Sequence, residues 1–305
     1  MLRAALPDGD WWCERALRTV SDVTVYIVRA GHGETAVLKV ATTGSGVTSL
    51  RREHDLLIQL RSDEQLGDWR GLLPVPVAAG SVGPSDYLVT SRLPGRDGRK
   101  VAPEQTTRLT SAAIQAIAPL HRRLNTARVV DDAMLGLWVD EPAERIMRAV
   151  PCDRVIDRLT RALHSDLAGR KVTLGWTHGD LHPGNIMTSG DGRVTGIIDW
   201  NEAREHDLPV LDIAFWLLNM PRHGRTREFG GRVADRLDRG LPWTPEEQRV
   251  LGSVADGDLT QGRALLLLVW LRHVASNLEK SAWYAESPLW SRRNVIPVLR
   301  QVARG

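Results

Sequence analysis

Through the first ninety residues, apolar side chains recur at strand-like spacing, interrupted once by a helical stretch. Thr24-Val25-Tyr26-Ile27-Val28 is β-branched and aromatic, Gly31-His32-Gly33-Glu34 turns the chain, and Thr35 to Val40 returns. That order predicts a β-hairpin. Val47 to Leu60 then sets Leu50, Leu57 and Leu60 at helical spacing, with Arg52 and Glu53 among them. Pro74-Val75-Pro76-Val77 and Tyr87-Leu88-Val89-Thr90 predict two more short strands, and Pro94-Gly95 ends the pattern.

Helical periodicity governs the remainder. Pro103 to Leu124 carries Leu109, Ala113, Ile117 and Leu120 on one stripe, and Asp153 to Leu167 repeats the pattern with Val155, Leu159 and Leu163. Leu211 to Leu218, Ala264 to Asn277 and Val295 to Val302 predict buried or half-buried helices. There is no internal repeat, low-complexity tract or long linker. The boundary falls near Leu93, between a strand-rich segment 1–93 and a larger helical one, 94–305.

One stretch carries chemistry. Trp176-Thr177-His178-Gly179-Asp180-Leu181-His182-Pro183-Gly184-Asn185-Ile186-Met187 is followed by Ile197-Ile198-Asp199-Trp200. Between Asn185 and Asp199 lies a hairpin signal: apolar Ile186-Met187, the turn Ser189-Gly190-Asp191-Gly192, and a strand-like run from Val194. A hairpin returns its two ends to one place, so Asn185 and Asp199 can face one ion, with Asp180 a short loop away. Phosphoryl transfer needs such a set: one carboxylate to orient the attacking hydroxyl, and an amide plus a second carboxylate to hold Mg²⁺.

Composition narrows the setting. A chain of 305 residues favours two lobes, and 42% hydrophobic with 25% charged residues describes an ordinary globule. A net charge of +3 with no run of five like charges is weak support for nucleic-acid binding. Cys13 and Cys152 match no metal-ligand spacing and read as two free thiols in a reducing compartment. The longest apolar run, Ala264 to Leu271, is far shorter than the ~20 residues that span a bilayer. With no signal-peptide pattern at the start, the expectation is a cytoplasmic protein with no membrane contact, no nucleic acid and no obligate protein partner.

At His178-Gly179-Asp180, Asn185 and Ile197-Ile198-Asp199-Trp200 the chain resembles the aminoglycoside phosphotransferase and choline kinase family, which shares the protein-kinase-like fold. Protein kinases usually carry Arg where this chain has Gly179. The resemblance implies an α+β, two-lobed fold: a nucleotide-binding lobe, 1–93, with a small antiparallel sheet and one helix, and a mainly helical catalytic and acceptor-binding lobe, 94–305. It implies ATP or GTP and Mg²⁺ as cofactors, with a small-molecule hydroxyl as acceptor. Asp180 would be catalytic, and Asn185 and Asp199 would bind the metal. Ser91 C=O and Leu93 N–H would meet the adenine, with Thr90 at the back of its slot.

The remaining parts follow by position. Lys39 ends the second arm of the first hairpin, where it can reach nucleotide phosphates if a carboxylate on the next helix steadies it. Glu53, fourteen residues on, is that carboxylate. The match weakens at the phosphate loop, where Thr19 to Thr24 holds no glycine. Ser21 and Thr24 hydroxyls are the donors there, and Asp22 would repel phosphate unless it points away or meets Mg²⁺. The resemblance further implies that His178 braces the catalytic loop and that Asp212 anchors it. A His178/Asp180/His182 metal triad is disfavoured by the Pro183-Gly184 break. Glu202, Glu205, Asp207, Glu279 and Glu286, with Trp270, Trp283 and Trp290, are candidates for an acceptor pocket suited to a hydroxylated amine.

The reading is a kinase that moves the γ-phosphoryl of ATP or GTP to a hydroxyl of an aminoglycoside-like antibiotic or amino sugar. A neutral sugar, nucleoside or amino alcohol is the alternative acceptor. A protein kinase is disfavoured, because no Ala-Pro-Glu segment follows Asp199 and Asp212 comes too soon for an activation loop. A non-enzymatic, nucleotide-binding pseudokinase is disfavoured because Lys39, Asp180, Asn185 and Asp199 are all present.

Overall fold

The structure is a computed structural model that describes residues 6, 10–17, 22–220, 228–254 and 262–304. Strands β1 (Trp11–Leu17), β2 (Val23–Ala30) and β3 (Thr35–Ala41) lead into helix α1 (Gly44–Ser62), then β4 (Pro76–Val82) and β5 (Ser85–Ser91). After β6 (Arg96–Asp97) come α2 (Thr106–His121), β7 (Thr126–Val129), α3 (Glu141–Ala149), α4 (Asp153–Leu167) and β8 (Lys171–Thr177). Strands β9 (Ile186–Thr188), β10 (Val194–Ile197) and β11 (Arg204–Asp207) precede α5 (Pro209–Asn219), α6 (Phe229–Asp238) and α7 (Pro245–Gly252). The chain closes with α8 (Arg263–Lys280), α9 (Ala282–Glu286), α10 (Pro288–Asn294) and α11 (Ile296–Arg304). These elements form two compact units, Met1–Pro119 with Pro183–Ala203, and Leu120–His182 with Arg204–Gly305.

The first unit is built on an antiparallel sheet of order β1-β2-β3-β5-β4. The expected hairpin is β2–β3, paired from Val23↔Ala41 to Arg29↔Thr35. Gly33, at φ 94°, makes its turn, a conformation open to glycine and costly for other residues. Thr43 caps α1 by accepting from the Gly46 N–H, and the helix buries Leu50, Glu53, Leu57 and Leu60. Leu50 packs with Val23, Ala41 and Leu88 of the sheet, which aims the intervening turn of α1, with Glu53, at β3. A smaller sheet, β10-β9-β6, completes the unit.

The second unit is mainly helical around a sheet of order β11-β8-β7. Helix α5 is buried from Pro209 to Leu218, and α8 buries its whole apolar run from Ala264 to Leu271. Trp138, Trp216, Trp243 and Trp270 are enclosed here, the usual fate of a large ring. Strands β1, β6, β7, β8 and β11 lie outside the elements that the pattern predicts. Of these, β1 and β7 are largely exposed and lack apolar alternation, so pairing partners rather than their own pattern make them strands. Among the described residues no helix is long and apolar enough to cross a membrane.

Candidate active site

In the first unit, β3 and α1 bring Lys39 and Glu53 together. Lys39 Nζ donates to both Glu53 oxygens, at 2.7 and 2.6 Å, and to Asp199 Oδ1 at 3.1 Å. Burial alone would lower the Lys39 ammonium. Asp199 and then Glu53 outweigh it and hold the group protonated, above the ordinary lysine range. Burial pushes the Glu53 carboxyl up while Lys39 pulls against it, and the carboxylate also accepts from the Trp200 backbone. Arg52, one residue earlier, donates to Ala203 C=O at 3.1 Å, so α1 is tied to the segment just beyond Asp199.

Asn185 and Asp199 meet at the open end of the β9–β10 hairpin. Ile186 pairs with Ile197, and the Ile198 N–H donates to Asn185 C=O at 3.0 Å. The next residue, Asp199, has φ 70°, a left-handed conformation rare for a side-chain-bearing residue. Backbone strain of this kind persists where surrounding structure over-determines it, and it concentrates at functional sites. The donor set of one half-exposed carboxylate and one amide fits Mg²⁺, which takes one or two protein ligands and leaves its other positions to phosphate and water. Among the described residues no group of three or more His, Cys, Asp and Glu is arranged for a metal, which leaves the triad reading of His178, Asp180 and His182 without support.

The other expected nucleotide contacts lie in the same unit. Ser91 pairs with Ala36 across the sheet, its N–H donates to Val75 C=O at 2.8 Å, and its Oγ accepts from the Val75 N–H at 2.9 Å. Leu93 lies against Gly196 of β10, where an added Cβ would fall 2.9 Å from Leu93 Cβ. Thr90 is buried. Asp22 turns toward the start of α1, accepting from Thr43 Oγ1 at 2.9 Å and Ser45 Oγ at 2.5 Å. Ser21, the expected phosphate-loop donor, lies outside the described residues.

In the second unit the segment after β8 is held from beneath. Asp212 of α5 accepts the His178 N–H at Oδ2 (2.7 Å) and the Gly179 N–H at Oδ1 (2.9 Å), and His121 Nε2 lies 2.9 Å from Oδ2. Gly179 takes φ 79°, which suits glycine at this tight place. The Asp180 N–H then reaches His178 Nδ1 at 3.3 Å, so the buried imidazole braces the loop. His182 packs edge-on against Phe215, with centroids 6.2 Å apart.

Asp180 has a partner that sequence reasoning missed. Lys280, the last residue of α8, places Nζ 3.2 Å from Asp180 Oδ2, with both side chains mostly buried. Burial alone would raise the Asp180 carboxyl. Lys280, followed by His182, His273 and His178, overrides it and holds the group well below the ordinary carboxylate range. Just after Lys280 in the chain, Tyr284 packs edge-to-face against Trp283 and Trp290, with centroids 5.1 and 5.0 Å apart.

Two of the five carboxylates expected to line the acceptor pocket are paired with arginines. Asp207 is buried in a two-pronged pair with Arg272, at 2.7 and 2.5 Å, and Glu279 accepts from Arg145 at 2.6 Å. Trp270 is enclosed, donating from Nε1 to Asn294 C=O at 2.8 Å, and serves the core.

The five-stranded antiparallel sheet with its single long helix, and the larger helical part carrying the anchored His178-Gly179-Asp180 loop, define an α+β, protein-kinase-like phosphotransferase. The chain belongs to the phosphotransferase enzyme family, which it matches over residues 15–251. Three solved structures are similar. Aminoglycoside-3'-phosphotransferase of type VIII is 22% identical, with a TM-score of 0.53 over 86% of this chain and 93% of that one. A thermostable mutant of aminoglycoside phosphotransferase APH(4)-Ia, in ternary complex with ADP and hygromycin B, is 13% identical, with a TM-score of 0.59 over 94% and 93%. Aminoglycoside phosphotransferase APH(3'')-Id from Streptomyces rimosus is 16% identical, with a TM-score of 0.53 over 90% and 94%. At these identities the likeness is one of fold. The uncharacterized protein YcbJ of Bacillus subtilis (strain 168) is 49% identical over 70 residues, which span 21% of this chain and 22% of that protein.

Proposed function

We propose that this phosphotransferase moves the γ-phosphoryl of ATP, or GTP, to a hydroxyl of an aminoglycoside-like antibiotic or amino sugar. The observation that carries the nucleotide half is the Lys39–Glu53–Asp199 cluster, a protonated lysine fixed between two carboxylates at the end of β3. The ADP and hygromycin B bound by the APH(4)-Ia neighbour support both halves of the reading.

In this reading residues 1–93 form the nucleotide-binding lobe and 94–305 the catalytic and acceptor lobe. Lys39 contacts phosphate oxygens, steadied by Glu53. Ser91 C=O and Leu93 N–H meet the base, and Ser21 meets phosphate. Asn185 and Asp199 would hold Mg²⁺, which when bound draws charge from the phosphates. Asp180 accepts the acceptor hydroxyl's proton as the oxygen bonds to the γ-phosphorus and the bond from phosphorus to the β–γ bridging oxygen breaks, releasing nucleoside diphosphate. A second reading, a neutral sugar or nucleoside as acceptor, is favoured by the pairing of Asp207 with Arg272 and Glu279 with Arg145, which leaves fewer carboxylates for an amine.

The test is nucleotide consumption across hydroxylated antibiotics, amino sugars and neutral sugars, with mass spectrometry for the added phosphate. Asp180→Asn should retain Mg-nucleotide affinity and lose roughly 10²-fold or more in kcat, as when a positioned base is removed. Near-wild-type turnover in that variant would sink Asp180 as the base.

A further inference from the structure

Lys280 is a mostly buried cation set against the group that, in the proposed reaction, receives the acceptor's proton. Its Nζ lies 3.2 Å from Asp180 Oδ2, and it ends a helix whose preceding turns are locked into the core. The reacting hydroxyl must hydrogen-bond Asp180, so Lys280 borders whatever lies beside that hydroxyl. A buried carboxylate without a counter-ion would attract an ammonium. Here the counter-ion is built in, and an incoming amine would meet a neutralised pair or have to displace Lys280. Among the described residues, the titratable and charged groups that act on this place include His178, His182, His273, Tyr284 and, through His273, Arg232. Tyr284, which packs edge-to-face with Trp283 and Trp290, adds an aromatic ring beside the pair.

We propose that Lys280 is a positioning and selectivity residue: it fixes the Asp180 carboxylate and restricts phosphorylation to hydroxyls whose neighbouring carbons carry no ammonium. The acceptor is therefore uncharged around its reacting hydroxyl, and any amines it bears lie further off. This rests on the proposed kinase reading and narrows its substrate class.

The test compares wild type with Lys280→Met and Lys280→Arg, using calorimetry with Mg-ATP as a check of folding and of nucleotide binding. With water as acceptor, Lys280→Met should lower kcat for nucleotide hydrolysis by ~10-fold or more while nucleotide KM stays within ~2-fold, and Lys280→Arg should recover most of the rate. With glucosamine, N-acetylglucosamine and glucose as matched acceptors, the uncharged members should exceed the amine in kcat/KM by ~10-fold in wild type, and Lys280→Met should bring that ratio toward one. Unchanged hydrolysis in Lys280→Met, or a wild-type preference for the vicinal amine, overturns the proposal while leaving the kinase reading intact. A wild type that neither binds Mg-ATP nor consumes it overturns the kinase reading itself.

Discussion

Lys39 Nζ sits 2.6 Å from Glu53 Oε2, with both side chains nearly withdrawn from solvent. Removing one partner from a buried pair typically costs about 3–5 kcal/mol, because the other charge is left uncompensated. Here Asp199 remains as a second counter-ion at 3.1 Å. Glu53→Gln is therefore expected to destabilise by less than that range, and to act mainly on nucleotide handling as Lys39 swings toward Asp199. KM for nucleotide should rise by ~10-fold, with kcat less affected. Steady-state kinetics beside thermal melts check this, and an unaltered KM would remove Lys39 and Glu53 from the nucleotide site.

Asp199 joins a chemical role to a strained backbone. Alanine and glycine at this position both delete the carboxylate, but only glycine accepts φ 70° without cost. Asp199→Ala and Asp199→Gly should both lose Mg²⁺-dependent nucleotide binding, since the amide of Asn185 alone is a weak ligand for a hard dication. Asp199→Gly should nevertheless be the more stable of the two by about 1 kcal/mol. Calorimetry with and without Mg²⁺ tests the first claim, and denaturant titration the second.

Gly196 controls where Leu93 lies. A Cβ added to Gly196 would approach Leu93 Cβ to 2.9 Å, and Leu93 cannot yield by rotating a distant tip alone. If Leu93 N–H meets the base, Gly196→Ala should raise nucleotide KM several-fold while leaving Mg²⁺ dependence in place. A variant that loses stability but keeps its nucleotide KM would assign Leu93 to packing only.

What was legible in the sequence was local. The β9–β10 turn lies between Asn185 and Asp199, so pattern alone brings them together, and Lys39 and Glu53 sit on consecutive elements with a short connection. Lys280 was illegible because it reaches Asp180 across 100 positions of chain, through the packing of α8. The pairing of Asp207 and Glu279 was illegible for the same reason: Arg272 and Arg145, which engage them, are 65 and 134 positions away. Charge identity is written in the sequence, while charge compensation is written in tertiary structure.

His273 makes the acid limb of stability measurable. It is half-buried in α8, its ring 4.8 Å from Phe215 and 4.4 Å from Phe229, and Asn277 Nδ2 lies 3.0 Å from Nε2. Burial pushes the imidazole down to about 3 from its ordinary 6.5, against the pull of Asp180, so the folded protein keeps it neutral. A folded-state value below the unfolded one means that the unfolded chain takes the proton first as pH falls. The stabilisation is thus complete above pH 6.5 and drains away as pH drops toward 3. His273→Phe cannot titrate, and its lost contact with Asn277 is a constant offset. The difference in unfolding free energy, wild type minus variant, should be flat from pH 8 to 7 and fall steadily from pH 6 to 4. A difference that stays level across that interval would mean His273 is protonated as readily folded as unfolded, and that its pocket admits water.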